Sequence, residues 1–101
     1  MTPYVVSPLA KADLDAIWDY VAEHNPSAAD RLLNTFYEEF LLLAKHPFLG
    51  QVRDELRPGI RSFVVGKYAV YYQVVDGRIR VVRVLHGSRD VNGLFSDPQE
   101  P

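Results

Sequence analysis

The 101-residue chain has no cysteine, one methionine and one tryptophan. Without thiols there is neither a disulfide framework nor a thiolate metal site, and the composition suits a reducing compartment. No stretch approaches the roughly 18 consecutive apolar residues of a membrane span. The amino terminus also lacks the charged start, apolar run and small-residue cleavage site of a secretory signal. These absences predict a cytoplasmic protein with no membrane partner. No glycine-rich loop opens a helix, so nucleotide-phosphate cradling has no support. His24, His46 and His86 stand apart with no helix-spaced ligand pair, and neither metal nor cofactor is expected. Ser62 and Ser88 sit near arginines, but neither lies in a strained elbow or has an evident histidine–carboxylate relay.

What is present is the composition of one small domain spanning residues 1–101, with 48% hydrophobic and 24% charged residues. The net charge of −2 conceals a polarity. Residues 1–50 hold three basic and seven acidic side chains, whereas residues 51–101 hold eight basic and six acidic. Between Gln51 and Arg89 the balance is eight to three. An anionic partner would therefore meet the second half, although the overall acidity argues against direct DNA binding.

Tyr4 to Val6 reads as a short strand running into Ser7-Pro8, a helix N-cap followed by proline at the first helical position, where no amide hydrogen is needed. From Pro8 to about His24, Ala10, Leu14, Ile17, Trp18 and Val21 form an apolar stripe, and Asp13, Asp15, Asp19 and Glu23 lie off it as a solvated flank. Trp18 and Phe36 are expected in the core. Asn25-Pro26 repeats the cap signal and starts a second helix with Ala29, Leu32, Leu33, Phe36, Phe40, Leu43 and Ala44 on its apolar face. Residues 40–44 are apolar all round, which predicts cover on more than one side before His46-Pro47 ends the helix.

The pattern then changes to period two over residues 60–65, 68–75 and 78–85. Asp76-Gly77 predicts a two-residue type I′ hairpin, a turn that needs positive φ at both positions. An uninterrupted register from that turn places Gln73 opposite Arg80, Tyr71 opposite Val82, Ala69 opposite Val84 and Lys67 near His86 on one face. That face is expected to be open to solvent or a partner. The other, with Tyr68, Val70, Tyr72, Val74, Ile79, Val81, Arg83 and Leu85, should receive the helices. The fold class is α+β, in the order β-α-α-β-β-β: an antiparallel helical hairpin on a curved, mainly antiparallel sheet with the first strand as an edge. Residues 91–95 suit a helical turn, and 96–101 a frayed tail.

Among catalytic chemistries, cleavage of RNA through an activated 2′-hydroxyl is the one that survives, with His86, Arg89, Arg61, Arg80 and Tyr71 as its parts. Against it stands a structural reading in which His86 bonds a neighbouring loop and Arg89 pairs with Asp90.

The stretches at residues 7–20, at Asn25-Pro26 with residues 28–31, and at residues 46–50, 59–63, 66–72 and 84–90 together resemble ParE toxins of the RelE/ParE superfamily. The likeness covers roughly positions 4 to 95. It implies the toxin half of a bacterial type II toxin–antitoxin pair, of the kind that stabilises plasmids. ParE members bind DNA gyrase, whereas RelE-like relatives cut messenger RNA on the ribosome. Both are silenced by an antitoxin, here a ParD-like one, in a hetero-oligomer. Alanine stands at position 69, where the ribonuclease pattern places an arginine, and Ile60, Ser62 and Val64 bring no charge to the groove. The resemblance therefore favours gyrase inhibition by binding, with no catalytic residue. His86, Arg89 and Tyr71 are the parts for the alternative, a ribosome-dependent endoribonuclease. Antitoxin or target contacts are expected at Arg61, Tyr71, Arg80, Val82, Val84 and Arg89.

Overall fold

The computed structural model describes residues 3–95, so the expected tail at 96–101 lies outside the described residues. Strand β1 (Tyr4–Val6) leads into helix α1 (Pro8–Ala22), and helix α2 (Pro26–Lys45) follows after a short turn. Both caps form as the sequence predicts. Ser7 Oγ accepts from the Ala10 amide at 3.1 Å, and Asn25 Oδ1 accepts from the Ala28 amide at 3.1 Å, so each satisfies one of the amides a helix start leaves unbonded. Strands β2 (Gln51–Val52), β3 (Arg61–Val65), β4 (Tyr68–Val75) and β5 (Arg78–His86) come next, and a one-turn helix α3 (Asn92–Phe95) ends the described chain. The two-residue strand β2 was not expected.

The sheet order is β1-β5-β4-β3-β2, with β1 parallel to β5 and the other pairs antiparallel. Asp76 and Gly77 have φ of 53° and 76°, as a type I′ turn demands. Both long helices cover one face, where Ala10, Leu14, Phe36, Phe40 and Leu43 pack against Val70, Tyr72, Ile79, Val81 and Val84. Trp18 does not join this core. It is half-buried, and its Nε1–H donates to Asp30 Oδ1 at 2.9 Å, tying α1 to α2. The double cover expected over residues 40–44 is also missing: Leu41 and Leu42 are 45% and 37% exposed, since helix α2 has the sheet on one side only.

Two further differences bear on the site. The β4–β5 register runs as expected from Val75↔Arg78 to Tyr72↔Val81, then slips, so that Tyr71 faces Arg83, Val70 faces Val84 and Tyr68 faces His86. One extra residue in β5 forms a β-bulge, and every side chain beyond it changes face. Val84, expected on the open face, is 1% exposed in the helix-side core. Leu85, expected under the helices, joins the opposite face. His86 likewise moves to the helix side, opposite Tyr68.

The bulge leaves backbone groups that the ladder cannot bond, and the amino-terminal segment bonds them instead. Ser7 Oγ–H donates to the Val82 carbonyl at 2.9 Å, and Asp13 Oδ2 accepts from the Val84 amide at 2.9 Å. Asp13 also takes Arg83 Nε and Nη2 at 2.8 and 3.0 Å. This carboxylate, expected on a solvated flank, is the centre of a largely buried ion pair whose side chains are 13% and 14% exposed.

Candidate functional site

The face turned away from the helices is not open. Residues 53–60 fold over it from one side and α3 from the other, so that Leu56, Ile60 and Phe95 close on Ala69, Tyr71, Val82 and Leu85. The Tyr71 and Phe95 rings meet at 5.1 Å. Arg53 stands 5.9 Å over the Tyr71 ring and Arg57 5.7 Å over that of Phe95, cation–π contacts that cover apolar surface with side chains whose heads stay wet. Arg53 also donates to Ser62 Oγ at 3.2 Å and to Glu55 Oε2 at 2.7 Å. The Glu55 hydrogen bond pushes the Arg53 guanidinium further up, and the same bond holds the Glu55 carboxyl below its usual range.

On the helix side, Tyr72 is fully buried and latches the chain after α2. Its hydroxyl donates to the Pro47 carbonyl and accepts from the Gly50 amide, both at 2.8 Å. Burial drives its pKa up, against the opposing pull of the Gly50 N–H and of Arg61. Position 50 must be glycine for this approach, because a Cβ there would stand 2.6 Å from the Tyr72 oxygen and 2.9 Å from the Ser62 carbonyl. Arg61 belongs to the same latch. Its Nη1 donates to the Gly50 carbonyl at 2.8 Å, and its guanidinium lies 5.0 Å over the Phe48 ring.

The residues expected to bind a partner are therefore scattered. Tyr71 and Val82 lie together, but beneath Phe95 and 4% and 6% exposed. Val84 is in the helix-side core, and Arg61 is held in the Tyr72 latch. Arg80 sits near the Asp76-Gly77 turn beside Val5 and Val75, and Arg89 is exposed beyond the far end of β5. Of the three residues of the nuclease alternative, His86 and Arg89 line one cavity of about 660 Å³ between α1, α2 and the ends of β4 and β5. Tyr71 is on the other side of the sheet.

The local chemistry of His86 follows from one bond. The Ser88 backbone N–H, which can only donate, points at Nδ1 at 3.2 Å, and Ser88 Oγ is 2.8 Å from the same nitrogen. Nδ1 is thus the acceptor and the ring proton of the neutral imidazole resides on Nε2. A base acting through Nε2 would first have to give up this tautomer. The expected Arg89–Asp90 pair is not the contact that forms: Asp90 Oδ1 accepts from the Asn92 amide at 3.1 Å and caps the entry to α3. Arg53 and Arg57, which the residue pattern did not single out, lie over the aromatic rings of the outer face. Among the described residues, no cluster of three or more His, Asp or Glu side chains could hold a metal ion.

A helical hairpin on one face of a curled, mainly antiparallel sheet is the α+β architecture of RelE/ParE toxins. The chain belongs to the ParE toxin family: a family profile described as "ParE toxin of type II toxin-antitoxin system, parDE" matches residues 4–91. It is 36% identical over 91 residues to Toxin ParE1 of Mycobacterium tuberculosis, covering 88% of this chain and 93% of the relative. It is 41% identical over 92 residues to Toxin ParE1 of Caulobacter vibrioides, covering 87% and 92%. Among solved structures it is similar to a chain of the "Chromosomal ParDE TA system from P. aeruginosa", with TM-score 0.70, 26% identity, and cover of 82% of this chain and 92% of that one. The chain is a ParE-like toxin of a type II toxin–antitoxin system. Among the described residues, no helix is long and apolar enough to cross a membrane.

Proposed function

We propose that this toxin acts in the bacterial cytoplasm by binding DNA gyrase and blocking its cycle, without cutting a bond, and that a cognate ParD-like antitoxin neutralises it in a hetero-oligomer. The observation that carries this reading is the separation of the nuclease parts. Stabilising a phosphorane needs donors converging on one point, whereas Tyr71 is buried on one face of the sheet and His86 and Arg89 line a cavity on the other. The tautomer of His86 set by Ser88 adds to it.

For the antitoxin, Arg80 and Arg89 are the proposed carboxylate partners, because both are reachable without rearrangement. Contact with Tyr71 or Val82 requires Phe95 to lift. Arg61 would be reached only at the expense of its bond to Gly50, and Val84 is packed into the helix-side core.

The test is a gyrase supercoiling assay run beside a ribosome-dependent message-cleavage assay on the same purified protein. Inhibited supercoiling with intact message is the expected result. Cleavage abolished by His86→Ala or Arg89→Ala would replace this reading with the endoribonuclease one.

A further inference from the structure

The cavity that Arg89 shares with His86 has apolar walls that the carboxylate contact proposed for Arg89 leaves unused. Its walls are largely apolar and come from four elements: Ile17 and Val21 of α1, Leu32 of α2, Tyr68 of β4 and Val84 of β5. Its volume of about 660 Å³ lies in the middle of the range of small-molecule sites, roughly 300–1,000 Å³. The polar groups gather at one mouth, where Lys67, His86 and Arg89 are all exposed. That mouth is preorganised by backbone, since the Gly87 amide donates to the Lys67 carbonyl at 2.8 Å and the Arg89 amide to the His86 carbonyl at 3.0 Å.

The charge at the mouth is one-sided. Among the described residues, Asp13 is the only acidic one lining the cavity, and its carboxylate is taken up by Arg83 and the Val84 amide. Neither Lys67 nor Arg89 has an ion-pair partner among the described residues. With Nδ1 of His86 accepting from Ser88, its Nε2–H is the remaining donor of that ring. An apolar chamber with two cations and an N–H at its rim is complementary to a molecule with an apolar body and a single anionic head. A carboxylate fits this donor set by charge-assisted hydrogen bonds, while the body excludes water from the walls.

We propose that this cavity is a binding site for a small amphiphilic carboxylate, a medium-chain acyl or aryl acid, seated between the helical hairpin and the sheet with its head at Lys67 and Arg89. The site is separate from the outer face closed by Phe95, and the proposal does not depend on which cellular machine the toxin poisons.

The experiment is a titration of the purified full-length chain with decanoate below its micelle concentration, followed by isothermal calorimetry and by amide and methyl NMR shifts. Saturable binding is expected, with the largest shifts at Ile17, Leu32, Val84 and His86. Decanol, which keeps the body and loses the charge, should bind at least about tenfold more weakly, the loss of one charge-assisted hydrogen bond. The double variant K67A/R89A should show the same loss. Both side chains are exposed and without an ion pair among the described residues, so folding is not at stake. Ala16→Phe, on the exposed rim, should block the chamber. Non-saturable uptake, equal affinity for decanol, or shifts confined to the exposed Leu41–Leu42 surface would overturn the assignment. So would a result in which decanoate fails to bind while A16F weakens a purified antitoxin complex, because the chamber would then be a protein-docking pocket.

Discussion

The two faces of the sheet share the same strands and are closed by different means. Under the helices, the largest buried side chains interlock: Phe40 touches Tyr4, Phe36 and Tyr37 at ring distances of 5.5, 6.4 and 5.8 Å, and Tyr72 adds a hydrogen-bonded latch. On the other side a smaller cluster is closed by an irregular loop and one helical turn, with arginines lying over its aromatic rings. A face closed by two long helices is part of the global fold. A face closed by a four-residue helix can open while the rest stays folded.

Substitutions at four positions test that contrast. Phe40→Ala empties the middle of the helix-side core and should cost about 3–5 kcal/mol in denaturant melts, close to the whole stability of a domain this size. Asp13→Ala removes the acceptor shared by Arg83 Nε, Arg83 Nη2 and the Val84 amide, and should cost about 3 kcal/mol. Asp13→Asn, which keeps an acceptor for the amide, should recover part of the loss. Tyr72→Phe removes the latch and should cost about 1–3 kcal/mol near neutral pH.

The same residue carries a pH signature. Its folded-state pKa is raised, mainly by burial, so its contribution is complete below the unfolded tyrosine value and is lost as pH rises through the folded one. Above about pH 10 the wild-type chain should lose stability that Tyr72→Phe no longer has to lose. Alkaline melts of the two proteins should therefore converge. The smallest global effect is expected of Phe95→Ala: under about 2 kcal/mol, because the docking of one helical turn limits what can be lost. It should nonetheless expose the Tyr71 ring, as followed by NMR, while the Tyr72 environment stays unchanged. Equal destabilisation by Phe40→Ala and Phe95→Ala would erase the distinction between the faces.

The contrast also marks how far the residues could be read in advance. Helix stripes, the Ser7 and Asn25 caps and the Asp76-Gly77 turn are local, and each formed where spacing and turn chemistry placed it. The bulge is not local. Residues 81–85 read Val-Val-Arg-Val-Leu, apolar at positions of both phases, so alternation cannot reveal the extra residue, and no glycine marks it. That one slip moved Val84, Leu85 and His86 to the faces opposite to those expected. Asp13 was illegible for a related reason. Along the helix it looks like Asp15 and Asp19, and only a strand about 70 residues later distinguishes it. The cover of the outer face comes from Leu56, Ile60 and Phe95, apolar residues in turn-rich stretches without periodicity. Of the expected contact residues the slip moves Val84 alone; Tyr71 and Val82 keep their face and are covered by Phe95.

The bond from Ser7 to Val82 spans 75 positions, and that from Asp13 to Val84 spans 71. During synthesis, the first helix of a growing chain therefore waits for its anchor until most of the message has been translated. Such distant closures are slow relative to local ones. Until then, the nascent toxin carries an unfinished sheet and an amino-terminal helix not yet tied to its last strand.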